Sequence, residues 1–172
     1  MDDELAMCLA ELESVPVVFK QPNSRMCFAC GLENPFGLHL HFYDNGSDEV
    51  VSEFTIASNH QGYPNVAHGG VVAAILDEVG GRTVMIGDPE RFFMTAKLEI
   101  KYRQPVPTGT PLRAVGKLLK LKERLATAHA EIRSPQDEVL AEADLILSNV
   151  PDGMVDIGEA DRLGWKVYPD EG

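Results

Sequence analysis

A chain of 172 residues is long enough for one domain with a substantial core and too short for two ordinary ones. Its hydrophobic content of 44% and charged content of 24% suit a soluble globular protein, and no apolar run reaches the roughly 20 residues of a membrane span. A formal net charge of −12 repels polyanions on average, which argues against nucleic-acid or anionic-membrane binding.

The start, MDDELAMCLAELESV, is acidic and lacks the basic region of a secretory leader, and the three thiols Cys8, Cys27 and Cys30 form no disulfide framework. Cytoplasmic localisation is the expectation. Within residues 2 to 14, Leu5, Leu9 and Leu12 alternate with acids, which predicts a short amphipathic helix. Pro16, Pro22, Asn34, Pro35 and Gly37 then predict irregular chain to residue 37, so residues 1–35 read as an extension. In GLHLHFY, Leu38, Leu40 and Phe42 alternate with His39, His41 and Tyr43; after the DNGSD turn, EVVSEFTI is also extended, and the two predict a hairpin.

From Gly69 to Met85 the chain is apolar nearly all round, with Asp77 and Glu78 its only acids, as in a buried helix. Gly80 and Gly81 imply either close packing or an early helix end. Beyond residue 92 the period becomes two. Met94, Ala96, Leu98, Ile100 and Tyr102 share one face, and Thr95, Lys97, Glu99, Lys101 and Arg103 the other. After the QPVPTGTP turn, strands are predicted at about 111–121, 124–133 and 138–148. The economical solution is α+β: an antiparallel sheet of about six strands wrapped around one long central helix. Residues 36–149 form this domain and 150–172 a tail, in which Trp165 and Tyr168 imply partial docking.

Ten of the fifteen Lys and Arg residues fall between Arg82 and Arg124, against Asp88, Glu90, Glu99 and Glu123. Such a segment can receive a phosphorylated ligand, or can be a set of solvated strand faces. Cys27-x2-Cys30 with His39 or His41 offers zinc donors, but a single pair without a second CxxC leaves no metal as the expectation.

The segments NVAHGGVVAAILDEVGG and MTAKLEIKYRQPVPTGTPLRAVG together resemble the PaaI-type branch of the hotdog thioesterases, over roughly residues 36 to 149. CFACGLENPFGLHL is similar to the front end of some members. The shared features are His68-Gly69-Gly70 opening the central helix, Asp77 nine residues after the His, and Tyr102 with Pro105 after the next strand. The resemblance implies a hotdog fold, no cofactor, and hydrolysis of an acyl-CoA substrate by a homodimer or dimer of dimers. It also implies that Asp77 is the catalytic carboxylate and that Thr95 helps position water or the carboxylate.

The chemistry makes sense independently. Thioester hydrolysis builds negative charge on the carbonyl oxygen and needs an activated water or a nucleophile. Gly69 and Gly70 let a carbonyl approach the unpaired N–H groups at a helix start, and His68 orients the turn or the carbonyl. A regular helix separates Gly70 from Asp77 by about 10 Å, which implies that a second chain completes the site. Asn65 is a candidate for a further polar contact, and Arg82, Lys97, Lys101 and Arg103 for the CoA phosphates. The competing readings are a hotdog protein that binds an acyl ligand without turning it over, and a hydratase-like use of His68 with Asp77. Alternation puts Thr95 on the polar face with Lys97, away from the helix, unless a bulge intervenes.

Overall fold

The period-two stretch after residue 92 becomes a ten-residue strand, and the apolar stretch before it becomes the helix against which the sheet packs. The computed structural model describes residues 18–151, 153–154 and 160–170. The helix expected at residues 2 to 14 lies outside the described residues, as does Cys8.

In chain order the strands are β1 (Phe19–Lys20), β2 (Tyr43–Asp44), β3 (Glu49–Thr55), β4 (Gln61–Tyr63) and β5 (Val66–Ala67), followed by helix α1 (Gly69–Gly81). After a 3₁₀ turn at Arg82–Met85 come β6 (Phe93–Tyr102), β7 (Pro111–Leu121), β8 (Leu125–Arg133), β9 (Val139–Asn149) and the short helix α2 (Ala160–Leu163). Seven strands form one antiparallel sheet in the order β1-β2-β3-β7-β8-β9-β6, while β4 and β5 make a separate hairpin beside the start of α1. The seventh strand of the sheet is β1, which sequence patterning left inside an irregular extension.

Small residues bring the helix close to the sheet. Ala126, Ala128 and Ala130 of β8 and Ala141 and Ala143 of β9 are buried beneath it, with Val72, Ile75, Leu76 and Val79 facing them from α1. The approach is tightest at Gly116 of β7, where a Cβ would lie 2.3 Å from the Val79 carbonyl oxygen. Gly80 answers to close packing, because a Cβ there would meet the Leu145 methyls at 2.6 and 2.7 Å. Gly81 is where the α-helix ends.

The strand expected over 37–43 is reduced to the two residues of β2. Leu40 and Phe42 are buried as alternation requires, but His39 has φ 52, and this left-handed residue breaks the extended run. Residues 38–42 instead bond to the preceding segment: Leu38 and Leu40 N–H groups donate to Phe28 and Ala29 carbonyls, and Gln21 N–H to the Phe42 carbonyl. The described tail docks there as well, Asn23 and Lys166 exchanging backbone hydrogen bonds of 2.9 and 3.2 Å.

Candidate functional site

The start of α1 is built around His68. It is the N-cap, with extended backbone (φ −61, ψ 136), and its Nδ1 accepts from the Gly70 N–H at 3.0 Å. Its carbonyl accepts from Val71 and Val72. This corrects the expectation that both glycine amides are available: Gly70 is used by the cap, and the Gly69 N–H is left without a partner among the described residues. With Nδ1 accepting, a neutral His68 carries its proton on Nε2, toward solvent. Tyr102 fixes the turn from β6 by donating its hydroxyl to the Gly69 carbonyl at 2.8 Å, a role that only the Tyr-x-x-Pro pattern hinted at. Beside it, Val66, Gly69, Val72, Tyr102, Arg103 and Val106 line a cleft of about 310 Å³.

Asp77 lies two turns further along α1, half-buried. Thr95 Oγ1 donates to its Oδ1 at 2.6 Å. This contact depends on a bulge in β6, whose register against β9 shifts between Thr95 and Lys97. Thr95 stands opposite the buried Leu147 and Lys97 opposite the exposed Ile146, so Ala96 is the extra residue and Thr95 turns to the helix side. The face assigned to Thr95 by strict alternation is therefore corrected, and so is that of Met94, which is exposed.

The candidate phosphate ligands separate. Arg82 is buried with its guanidinium between the Phe42 and Trp165 rings, 4.5 and 4.9 Å from their centroids. It donates through Nε to Glu78 at 2.9 Å and through Nη1 to the Pro22 carbonyl at 2.6 Å. Enclosed in this way it cannot meet a phosphate, and the expectation is corrected. Lys97 pairs with Glu99 at 2.9 Å, while Lys101 and Arg103 share Glu142 at 3.8 and 2.7 Å. All three are exposed, and Arg103 alone of them lines the cleft beside Gly69. Asn65 has φ 64 in the tip between β4 and β5, and its carbonyl accepts from Thr108, as befits a turn residue.

Among the described residues one group of side chains has the donors for a cation: Cys27, Cys30 and Glu78, whose ligand atoms all lie within 4.8 Å of one another. The histidines considered alongside the cysteines are elsewhere, His39 against the Asn34 carbonyl and His41 near Tyr168 and Asp170. A hydrogen bond from Cys30, aided by the Cys30 and Ala29 amides, holds the Cys27 thiol down at about 6. Donation to Cys27 and burial push Cys30 up. Burial pushes the Glu78 carboxyl up against the pull of Arg82.

A family model described as the thioesterase superfamily matches residues 64–141, the stretch from the hairpin tip through β9's start. The acyl-coenzyme A thioesterase THEM4 of Mus musculus is 30% identical over 122 residues, which cover 70% of this chain and 52% of that protein. The THEM4 of Rattus norvegicus is 29% identical over the same length. The chain thus spans about half the length of these curated relatives, 52% in each case. Among solved structures, a thioesterase superfamily protein superposes with a TM-score of 0.64 at 26% identity, over 86% of this chain and 76% of its own. PaaI from the phenylacetic acid degradation operon of E. coli gives 0.58 at 16% identity, over 66% and 81%, a likeness of fold. One long helix against a large antiparallel sheet gives the chain the hotdog fold of these thioesterases, and the stretch similar to the thioesterase superfamily holds the HGG cap, α1 and β6.

Proposed function

We propose that this chain hydrolyses an acyl-CoA thioester to the free acid and CoA, with Asp77 as its catalytic carboxylate. The observation that carries this reading is the setting of Asp77: Thr95 holds Oδ1 at 2.6 Å, and Oδ2 has no hydrogen-bond partner among the described residues. A half-buried carboxylate fixed on one oxygen and open on the other is suited to take a proton from water or to attack a carbonyl carbon. Either route ends with the acyl group on oxygen and a proton on the CoA sulfur. The Gly69 N–H, at the positive end of the α1 dipole, stabilises the oxyanion, and the His68 Nε2–H is a second donor. The curated relatives are named as acyl-coenzyme A thioesterases, which supports the same substrate class.

The site is composite in this reading. Gly69 and Asp77 lie eight residues apart on one regular helix, about 12 Å along its axis, so one protomer cannot place both at one carbonyl. A two-fold copy with its α1 antiparallel supplies the Asp77 opposite each HGG turn. The edge for such pairing is β6, ten residues long, bonded among the described residues to β9 alone and exposed along most of its length. Arg103, in the cleft beside Gly69, is the cation best placed for a CoA phosphate.

The test is release of free CoA from a panel of acyl-CoAs by the wild type and by Asp77→Ala, with the oligomeric state of both measured. The expected result is turnover by the wild type and a loss of about 10²- to 10⁴-fold in kcat for a correctly assembled variant. No turnover on any panel member, with the acyl-CoAs still binding, would instead make this an acyl-ligand binding protein.

A further inference from the structure

The Cys-x-x-Cys turn that the proposed hydrolysis does not use is shaped like a metal knuckle. The Gly31 N–H donates to the Cys27 carbonyl at 2.8 Å, closing the turn, and the Cys27 N–H donates to Ser24 Oγ at 3.2 Å, anchoring its start. The turn is too tight for any side chain at its end, since a Cβ on Gly31 would lie 2.4 Å from the Cys27 carbonyl oxygen. Both sulfurs are thereby presented together on one side of the turn.

The third donor comes from the central helix. The Glu78 carboxylate and the two sulfurs fall within 4.8 Å of one another. Ligands about 2.0–2.3 Å from a tetrahedral zinc are separated from each other by roughly 3.3–3.8 Å, so small side-chain rotations bring the three to that spacing. The surroundings supply a second shell. Arg82 Nε donates to Glu78 Oε1, which fixes the carboxylate while its other oxygen is free to turn to a cation. Ser24 Oγ lies 3.5 Å from Cys30 Sγ. Two thiolates, one carboxylate, a divalent cation and the Arg82 guanidinium sum to zero charge in a largely buried place.

We propose that Cys27, Cys30 and Glu78 bind a thiophilic divalent cation of the zinc type, with a water in the fourth position. The site joins the segment before β2 to the last turns of α1. It is structural in character, because Glu78 faces Arg82 and the cysteines whereas its neighbour Asp77 engages Thr95 on β6. Its effect on the reaction is to hold the end of the helix that carries Asp77. A disulfide between Cys27 and Cys30 is the rival reading. It accounts for the sulfurs but gives the convergent carboxylate no role.

The experiment uses the full chain, reduced, stripped of metal and titrated with Co(II). One equivalent is expected to produce the near-ultraviolet sulfur-to-cobalt charge-transfer band, which Zn(II) then removes. Cys27→Ser and Cys30→Ser should each lose it, and Glu78→Gln should retain sulfur ligation with affinity weakened on the order of tenfold or more. Zinc should raise the wild-type melting temperature in a concentration-dependent way. The proposal is overturned if the wild type gives no band, if the band survives both serine variants, or if Glu78→Gln binds as tightly as wild type. Air oxidation that removes two hydrogens per chain with no metal taken up by the reduced protein would assign the pair to a disulfide. Because the wild-type titration needs no variant to fold and no turnover, its outcome is separate from that of the hydrolase reading.

Discussion

Thr95 carries the clearest expectation at a single residue. Its hydroxyl is the donor seen on Asp77, at 2.6 Å, and it lies on a different element, so it positions the carboxylate without needing to touch the acyl group. Thr95→Ala should lower kcat by about 10-fold with KM little changed, since a group loosened from its productive geometry loses rate before binding. Thr95→Ser, which keeps the hydroxyl, should restore most of it; equal rates for the two variants would remove the positioning role. The candidates His68, Gly69 and Asp77 can be picked from the sequence because cap, glycines and acid sit at fixed offsets, whereas Thr95 is picked by resemblance alone. Two things are not legible there. The bulge at Ala96 is invisible to period counting, which can only return the wrong face for Thr95. Arg82 reads as a surface cation until Phe42 and Trp165, 40 residues before and 83 after it, are seen to close on its guanidinium.

For whole elements, helix–sheet distance is the controlling quantity, and the glycines measure it. Gly116→Ala drives a methyl into the Val79 backbone, which cannot rotate away, and should destabilise the fold by about 1–3 kcal/mol. Gly81 has helical angles (φ −60, ψ −33) and nothing within 4 Å of the place a methyl would take, so Gly81→Ala should stabilise by up to about 1 kcal/mol through helix propensity. Urea midpoints of both variants check the pair, and similar shifts would mean that propensity alone decides at both places. The long elements were readable because β6, β7, β8 and β9 each span nine to eleven residues, enough for the alternation to show through the register shifts in β6 and β7. The β1 edge and the β4–β5 hairpin, at two or three residues a strand, hold no period to read, and their pairing is decided by tertiary hydrogen bonds.

Across the whole molecule, chain ends and chain copies set the remaining expectations. The described tail is held to the β1–β2 edge by Asp170, which pairs with Lys20 and accepts from the Tyr43 hydroxyl at 2.6 Å. These bonds, first from Lys20 and then from Tyr43, keep the Asp170 carboxyl below its ordinary range. A carboxyl lowered by folding contributes stability above its ordinary value and loses that contribution as pH falls through the lowered value. Docking should therefore loosen on acidification. Trp165, the single tryptophan, reports it, because its indole N–H donates to the Pro89 carbonyl and its ring packs on Phe92. Asp170→Asn should shift the neutral-pH emission toward that of the acidified wild type and flatten the acid change; superimposable titrations would place the pH response elsewhere. The last expectation concerns copies of the chain. If each site takes Gly69 from one protomer and Asp77 from its partner, Asp77→Ala and Gly69→Val chains fail alone yet complement when co-assembled. Valine is tolerable at 69, where a Cβ would meet the Tyr102 hydroxyl at an ordinary 3.6 Å, but its side chain blocks a carbonyl from the amide. In a mixed dimer one composite site has both parts intact and the other has neither, so random equal mixing should return about a quarter of wild-type turnover. A site contained within one protomer would return none, because every chain in the mixture then carries a broken site.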